Sequence, residues 1–261
     1  MREGIIYMRK QVYLTIDDGP SKDFKYKVDF LFERNIAAIF FCIGENIEKN
    51  KEDVVYAIRK GFLIGNHSYN HKHFSDLSIE EGKVYIKLTD EIINDAYNIA
   101  DEKRLLKVFR FPYFDMGGDN SGDDYEGKWS KPHSEWLLYP RNDRRIAFQS
   151  FLNELGYIQP QFEGINSKYL SDKEMLNYLD VRCTFDQMEY FLGKDYAPYG
   201  MEKEEAILGR IDEDVPYAGR GLNCLDTTDI VLVHDHEDTT ELFYKIIERY
   251  IEKKFEFLEI G

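Results

Sequence analysis

The chain has 261 residues, of which 43% are hydrophobic, so it is long enough to bury a sizeable core in one or two domains. Its net charge of −15 at pH 7 argues against a nucleic-acid-binding function, because Lys and Arg are not in the excess that phosphates require. No apolar run reaches the roughly 18 residues of a membrane-spanning helix. We therefore expect a protein with neither a transmembrane segment nor a nucleic-acid partner.

The three cysteines, Cys42, Cys183 and Cys224, form no Cys-x-x-Cys pair, and their number is odd. This usage is typical of a reducing compartment, and Cys42 lies in an apolar run where a small buried hydrophobe fits. The opening stretch MREGIIYMRKQVYL has charges at both ends of a very short apolar segment, unlike a signal peptide. We expect a cytoplasmic protein, with a secreted form whose leader has been removed as the alternative.

Apolar runs alternate with amphipathic segments along the first part of the chain. Val12–Ile16 is β-rich and ends at an Asp-Gly-Pro turn, which predicts a strand. The same reasoning predicts a helix over Phe24–Arg34, a strand over Ile36–Gly44, a helix over Lys51–Lys60, a strand over Gly61–Ser68, a helix over Ile79–Ala100 and a strand over Lys107–Pro112. Strands that are apolar throughout and alternate with helices are typical of a parallel sheet.

The segment from about 115 to 225 is elaborated. Residues 115–140 are rich in Gly, Asp, Ser and Pro, and a loop of this length inside a compact domain is usually functional. The elements predicted after it are a helix over Arg141–Leu155, a strand over Gly156–Phe162, a helix over Ser171–Tyr178, a strand over Leu179–Phe185, a helix over Glu202–Ile211, a strand over Asp229–His236, a helix over Thr240–Lys253 and a strand over Phe255–Ile260. Since no repeat or linker interrupts the chain, we predict one domain over residues 1–261.

Polar residues follow four of the predicted strands, at the point where each strand ends. They are Asp17 and Asp18, the stretch from His67 to His71, the stretch from Arg110 to Tyr113, and His234. The carboxyl ends of parallel strands meet at one rim, where the active sites of α/β proteins gather. We therefore expect these four groups to converge in space.

His67 and His71 are four residues apart, so on a helix or helical turn their imidazoles share a face. With one carboxylate they would form a two-histidine, one-acid metal site that leaves positions open for water and substrate. Taken alone, such a histidine pair is more often merely solvated, and Asp-Asp-Gly-Pro is an ordinary turn. A non-haem iron oxygenase uses the same ligand types, but normally as His-x-Asp on a β-sandwich, whereas this chain is typical of an α/β fold.

The ordered set of motifs resembles the polysaccharide deacetylase family, also called the NodB homology domain or carbohydrate esterase family 4. That family's first motif is matched by Thr15–Pro20, its second by His67–His71, its third by Arg110–Tyr113 and its fifth by Leu232–His234. Its fourth motif, usually an Asp-Trp pair, departs here: Asp186 is followed by Gln187, and Asp180 is a rival for the aspartate.

The resemblance implies a distorted parallel (β/α) barrel of about seven strands. It also implies a separate role for each of the motif residues. Asp18, His67 and His71 would bind one divalent metal ion, with zinc as the first expectation and Co, Ni, Mn or Fe as alternatives. Asp17 would be the general base and His234 the general acid. Arg110 would orient Asp17, the Tyr113 backbone N–H would stabilise the oxyanion, and Asp186 or Asp180 would hold His234.

The reaction that the resemblance implies is metal-dependent removal of acetyl groups, N-acetyl above all, from an acetylated sugar or glycan. Two alternatives stay open at this point. One is a relative that hydrolyses a small non-sugar amide, such as a ureide or cyclic imide, and the other is a relative that binds carbohydrate without catalysis. The sugar, the linkage, the metal and the oligomeric state are not encoded in any pattern that we can interpret.

Overall fold

The computed structural model describes residues 9–117, 143–165, 178–214, 216 and 221–260. Among these residues, six strands form one parallel sheet in the order β3-β2-β1-β5-β4, and β6 pairs with the start of β1. The strands are β1 Gln11–Gly19, β2 Ala38–Cys42, β3 Leu63–Asn66, β4 Phe185–Asp186, β5 Asp229–His234 and β6 Glu256–Phe257. The helices are α1 Phe24–Glu33, α2 Gly44–Lys49, α3 Lys51–Arg59, α4 Ile79–Ala100, α5 Asp143–Glu154, α6 Glu204–Gly209 and α7 Thr240–Glu252. The predicted parallel α/β fold is thus confirmed.

Each central strand buries side chains on both of its faces, which explains why these strands are apolar throughout. In β1, Val12, Leu14 and Ile16 pack with helix residues in the main hydrophobic core. The alternate residue Tyr13 packs on the other face, with Ile230 and Leu232 of β5. Each such side chain contributes about 1.5–3 kcal/mol relative to an exposed one. The sheet therefore has an outer core beneath the helices and a separate inner core.

The inner core is enclosed because the sheet curves back on itself through the segment from 180 to 186. Phe109 forms isolated parallel bridges with Asn66 and with Asp180, and Phe185 pairs with Val231 in β5. The strand predicted over Lys107–Pro112 is therefore a single residue, Phe109, with a bridge on each side, and the one predicted over Leu179–Phe185 is a bridge at Asp180 followed by the short β4. At this closure the Arg110 side chain donates to the carbonyl oxygen of Val181 at 3.0 Å, so a side-chain hydrogen bond replaces part of the backbone pairing.

Other elements differ from the sequence-based expectations. Residues 156–162 form no strand, and the predicted helix over 171–178 falls almost entirely outside the described residues. Helix α2 was not predicted, because the apolar run that forms β2 continues into its first residues. Cys42 is fully buried in the outer core, as expected.

Helix α4 is the longest helix among the described residues and begins at a well-formed cap. The side chain of Ser78 accepts from the backbone N–H of Glu81, and the Glu81 carboxylate accepts from the Ser78 backbone N–H in return. The helix ends at Asp101, which adopts a left-handed conformation with φ of 59°. Within the described ranges, no helix is both long and apolar enough to cross a bilayer.

Candidate active site

The four polar groups predicted at strand ends do converge at one rim of the sheet. Asp17 is the register partner of His234 on the neighbouring strand β5. Arg110 reaches Asp17 with its guanidinium at 2.7 Å, and His67 lies 3.3 Å from Asp18. The topological expectation is confirmed, because parallel strands carry their carboxyl ends to the same side.

A β-bulge gives the two adjacent aspartates different partners. Asp17 pairs with Phe41 and Gly19 with Cys42, so Asp18 is the extra residue in the register of β1. Its φ of 72° places it in the left-handed region, which Asp tolerates better than most residues. In a regular strand the two side chains would point to opposite faces. The bulge instead directs both carboxylates toward the rim, and each meets different partners.

Asp18, His67 and His71 bring three ligand atoms within 4.8 Å of one another. One oxygen of Asp18, Oδ1, lies 3.3 Å from His67 Nε2 and 2.9 Å from His71 Nε2. Burial opposes ionisation of Asp18, but His71 and the other facing imidazoles hold its pKa well below the ordinary value. A carboxylate facing two imidazole nitrogens is a donor set that suits zinc and related divalent ions.

The tautomer of His67 shows that this group fits a cation. His67 Nδ1 lies 2.8 Å from the carbonyl oxygen of Arg110, which can only accept, so Nδ1 carries the hydrogen. In the neutral ring Nε2 then carries no hydrogen, and its lone pair points at the carboxylate of Asp18. Asp18 Oδ1 is buried and accepts no well-formed hydrogen bond from the described residues. A positive ion between these atoms would satisfy all of them.

The loop that carries the two histidines is not helical, contrary to the expectation that a helical turn pairs them. Ser68 and His71 both adopt left-handed conformations, with φ of 63° and 55°. The loop is held from outside: the N–H groups of Gly44 and Glu45, at the start of α2, donate to the carbonyl oxygens of Ser68 and Tyr69 at 2.9 Å. The unpredicted helix α2 thus helps to bring the His67 and His71 rings to a centroid separation of 5.0 Å.

Arg110 is fully buried beneath Asp17 and is the main charge that faces it. The same terminal nitrogen of Arg110 donates to Asp17 Oδ1 at 2.7 Å and to the Thr15 hydroxyl at 3.0 Å. Such a charge-assisted bond fixes the orientation of the carboxylate. The other Asp17 oxygen, Oδ2, lies 3.6 Å from His67 Nε2, so it faces the group of possible metal ligands.

The acid that directly faces His234 is Glu189, which the sequence analysis did not identify. Glu189 Oε1 lies 3.4 Å from His234 Nδ1 and also accepts the backbone N–H of His234. Burial disfavours the His234 cation, but Glu189, helped by Asp18 and Asp186, raises the pKa of His234 to about 10. Glu189 reaches His234 because of a local turn. Strand β4 ends at Asp186, and Met188, with φ of 60°, turns the chain so that Glu189 lies under β5.

The two aspartates considered from the sequence take other positions. Asp186 lies beside His234 in a buried group with Glu189, and burial raises the pKa of Asp186 to about 6. Asp186 Oδ1 accepts the N–H of Met188 at 2.9 Å. The rival Asp180 instead pairs with Arg182 at 2.9 Å and accepts from Gln149 at 2.8 Å. We therefore assign the support of His234 to Glu189 in the first place, with Asp186 as its neighbour.

Gln187 stands where the related family usually has tryptophan, and its side chain belongs to the outer core. It donates to the Ile207 carbonyl at 2.6 Å and accepts from the Tyr250 hydroxyl at 2.8 Å. The aromatic ring that packs against His234 comes from Tyr190, edge to face at a centroid distance of 4.9 Å. The shifted aromatic residue could not be recognised from the motif, because it lies three positions after Gln187.

Tyr113 lies beside the histidine group with a backbone φ of 56°. Its ring stacks on His73 at a centroid distance of 3.7 Å and lies 4.5 Å from the His71 ring. His73 in turn faces Asp115, whose carboxylate is 3.7 Å away. These contacts place the ring of Tyr113 next to the histidine group. The expectation that its backbone N–H stabilises an oxyanion stays a prediction.

A further histidine, His236, also contacts Asp18, and the sequence analysis missed it. His236 Nε2 lies 2.7 Å from Asp18 Oδ2, the oxygen that does not face His67 and His71. The sequence did contain one signal for His236: it lies two residues after His234, which already belonged to a motif.

Comparison with known proteins finds a family model that matches part of the first half of the chain. Residues 7–120 match the polysaccharide deacetylase family model. A peptidoglycan-N-acetylglucosamine deacetylase of Bacillus cereus is 39% identical over 108 residues, which cover 41% of this chain and 38% of that protein. Chitin deacetylase 1 of Cryptococcus neoformans is 29% identical over 103 residues, covering 40% of this chain and 21% of the relative. The matched regions thus span well under half of either relative.

Solved structures resemble the fold over nearly the whole chain. A family 4 carbohydrate esterase from Streptomyces lividans, in complex with acetate, has a TM-score of 0.56 at 18% identity and covers 98% of this chain and 95% of its own. A family 4 pseudoenzyme from Bacillus anthracis has a TM-score of 0.57 at 16% identity, covering 95% of this chain and 63% of its own. At these identities the likeness concerns the fold. Residues 7–120 therefore resemble the polysaccharide deacetylase family, and the chain has the fold of the family 4 carbohydrate esterases.

Proposed function

We propose that this protein is a metal-dependent hydrolase that removes acetyl groups, N-acetyl above all, from a sugar or glycan. One observation carries the proposal: an oriented carboxylate, Asp17, lies beside a complete two-histidine, one-aspartate group, and a histidine held by an acid lies on the adjacent strand. The match of residues 7–120 to the polysaccharide deacetylase family model supports the acetyl substrate.

Asp18, His67 and His71 are the residues that would hold the metal. A bound divalent cation would polarise the acetyl carbonyl and make water a better nucleophile near neutral pH. Asp17, oriented by Arg110, takes the proton of the attacking water as that water adds to the carbonyl carbon. The backbone N–H of Tyr113 donates to the oxygen on which negative charge develops.

His234 completes the reaction by giving a proton to the leaving amine. Because Glu189 and its acidic neighbours raise the pKa of His234 to about 10, this imidazole carries a proton at neutral pH in the metal-free protein. The C–N bond breaks as the amine gains that proton, and the water has been divided between acetate and amine. Asp17 thus acts as the base itself, whereas Glu189 keeps His234 protonated as the acid.

The test is acetate release by the purified, zinc-loaded protein. The panel comprises N-acetylated chitooligosaccharides, peptidoglycan fragments, O-acetylated xylan and a small cyclic amide. We expect acetate and free amine in equal amounts from an N-acetylated glycan. Hydrolysis of the small amide alone would favour an amidohydrolase, and glycan binding with no acetate release would favour a non-catalytic relative.

A further inference from the structure

His236 follows β5 and reaches back to the bulge of β1. Its Nε2 lies 2.7 Å from Asp18 Oδ2, and an ionised carboxylate only accepts, so His236 is the donor. The opposite oxygen, Oδ1, faces His67 and His71. The group of ligand atoms within 4.8 Å of one another comprises Asp18, His67 and His71, and His236 contacts that group through the far side of Asp18.

The backbone that carries His236 is anchored by a buried ion pair. Lys27 Nζ lies 2.6 Å from Asp235 Oδ1, and both side chains are fully buried. Lys27 also donates to the carbonyl oxygen of His236 at 3.0 Å. The N–H of Asp235 donates to the carbonyl oxygen of Asp17 at 2.8 Å, and Ser21 donates twice to the Asp235 carboxylate. The segment is thus tied to both sides of the bulge at Asp18.

We propose that His236 is a positioning residue that holds Asp18 in the orientation needed to retain a metal ion. A carboxylate that binds through one oxygen can rotate away, and a hydrogen bond to its second oxygen removes that freedom. The inference rests on the metal site proposed above, but it concerns His236, to which neither the motifs nor the comparisons assign a role.

The experiment measures zinc affinity of the metal-free protein by competition with a chromophoric chelator. We expect His236→Ala to weaken zinc binding by about 10–100-fold, the usual effect of losing an outer hydrogen bond to a ligand. His236→Gln, which can still donate from a similar position, should stay within a few-fold of wild type. His73→Ala is the matched control, since it removes another partly exposed imidazole near the site that faces Asp115 instead of Asp18.

Three outcomes overturn the inference. Equal zinc affinity in wild type and His236→Ala would mean that Asp18 needs no such support. A loss as complete as that of His71→Ala would make His236 a ligand itself. Failure of the wild-type protein to bind zinc would overturn the proposed metal site as well, so the two failures are distinguishable. Circular dichroism and thermal melts of each variant show whether the fold is retained.

Discussion

At the scale of single residues, the site depends on partners that hold charges in place. Asp17 is fixed by Arg110, Asp18 by His236, and His234 by Glu189. Each of these pairs is wholly or mostly buried, where an interaction between charges is stronger than it would be in water. Replacing Arg110, His236 or Glu189 should therefore change the orientation or the protonation of the site residue that it contacts.

The pair of His234 and Glu189 leads to a pH-dependent expectation. The folded-state pKa of His234 is raised to about 10, above its ordinary value of 6.5, so its contribution to stability is complete below about pH 6.5 and is lost as the pH rises through 10. Glu189→Gln weakens this shift. In metal-free protein, the stability advantage of wild type over Glu189→Gln should therefore shrink from pH 6.5 to pH 10.

Urea unfolding in the presence of a chelator, at several pH values across that range, measures this difference. Lys22→Ala is the control, because the ion pair of Lys22 with Glu237 is exposed and should be worth about 1 kcal/mol or less. A constant difference between wild type and Glu189→Gln would show that Glu189 does not perturb His234.

Several residues of the site could be predicted from the sequence, and the reason is topological. Asp17, Asp18, His67, Arg110 and His234 all end predicted strands, so parallel pairing was enough to bring them together. Glu189 and His236 could not be found in this way, because their positions depend on how the chain turns after β4 and β5. Asp186 was chosen on motif position alone, and the turn at Met188 puts Glu189 closest to His234 Nδ1.

At the scale of elements, the end of β3 is held by a buried polar network. The hydroxyl of Tyr157, just after α5, accepts from Asn66 Nδ2 at 2.7 Å and donates to Asp90 Oδ1 on α4 at 2.8 Å. Asn66 Oδ1 accepts the N–H of Ser68 at 2.8 Å and so orders the histidine loop. Helices α4 and α5 thereby support the site from behind the sheet.

Removal of one hydroxyl tests that network. Tyr157→Phe should lower the free energy of unfolding by about 1–3 kcal/mol, because it leaves one buried N–H of the Asn66 side chain without its acceptor and removes one of the hydrogen bonds that Asp90 accepts. Tyr26→Phe removes a hydroxyl from a side chain that is 65% exposed and should change stability little. Denaturant unfolding of both variants gives the comparison, and equal effects would argue that the network does not support the fold.

The elements predicted well are those whose strands are apolar on both faces, such as β1 and β5. The strands predicted over 107–112 and 179–185 shrank to bridges or two residues, because the Arg110 side chain replaces part of the backbone pairing there. No local pattern signals such a replacement, since it depends on contacts between distant segments. Helix α2 was not predicted for another reason: its first residue, Gly44, is the last residue of the apolar run that forms β2.

At the scale of the whole molecule, the site is assembled from both ends of the chain. The family match covers residues 7–120, whereas Glu189, His234 and His236 come from later segments. Strand β5 joins the two parts by pairing with β1 along six consecutive register positions. The proposed base and metal ligands therefore lie in the matched region, and the proposed acid lies outside it.

Metal binding should stabilise the whole fold, because a ligand that binds only the folded chain shifts the unfolding equilibrium. Zinc at about 100 times its dissociation constant should add about 2.7 kcal/mol, or roughly 5–10 °C in Tm for a chain of this size. His71→Ala should abolish the shift, whereas His73→Ala should keep it. A similar rise in Tm in His71→Ala would place the zinc elsewhere on the molecule.

Asp17 and Asp18, although adjacent, are proposed to have different functions, and bound zinc together with turnover in two variants distinguishes them. Bound zinc and turnover on an N-acetylated glycan are determined on the same samples of Asp17→Asn and Asp18→Asn. We expect Asp18→Asn to lose zinc, because a charged ligand becomes neutral. Asp17→Asn should keep zinc and lose turnover by roughly 10²–10⁴-fold, the usual contribution of a positioned general base. Loss of zinc in Asp17→Asn with retention in Asp18→Asn would reverse the two roles, and small, equal effects would contradict the assignment of this site.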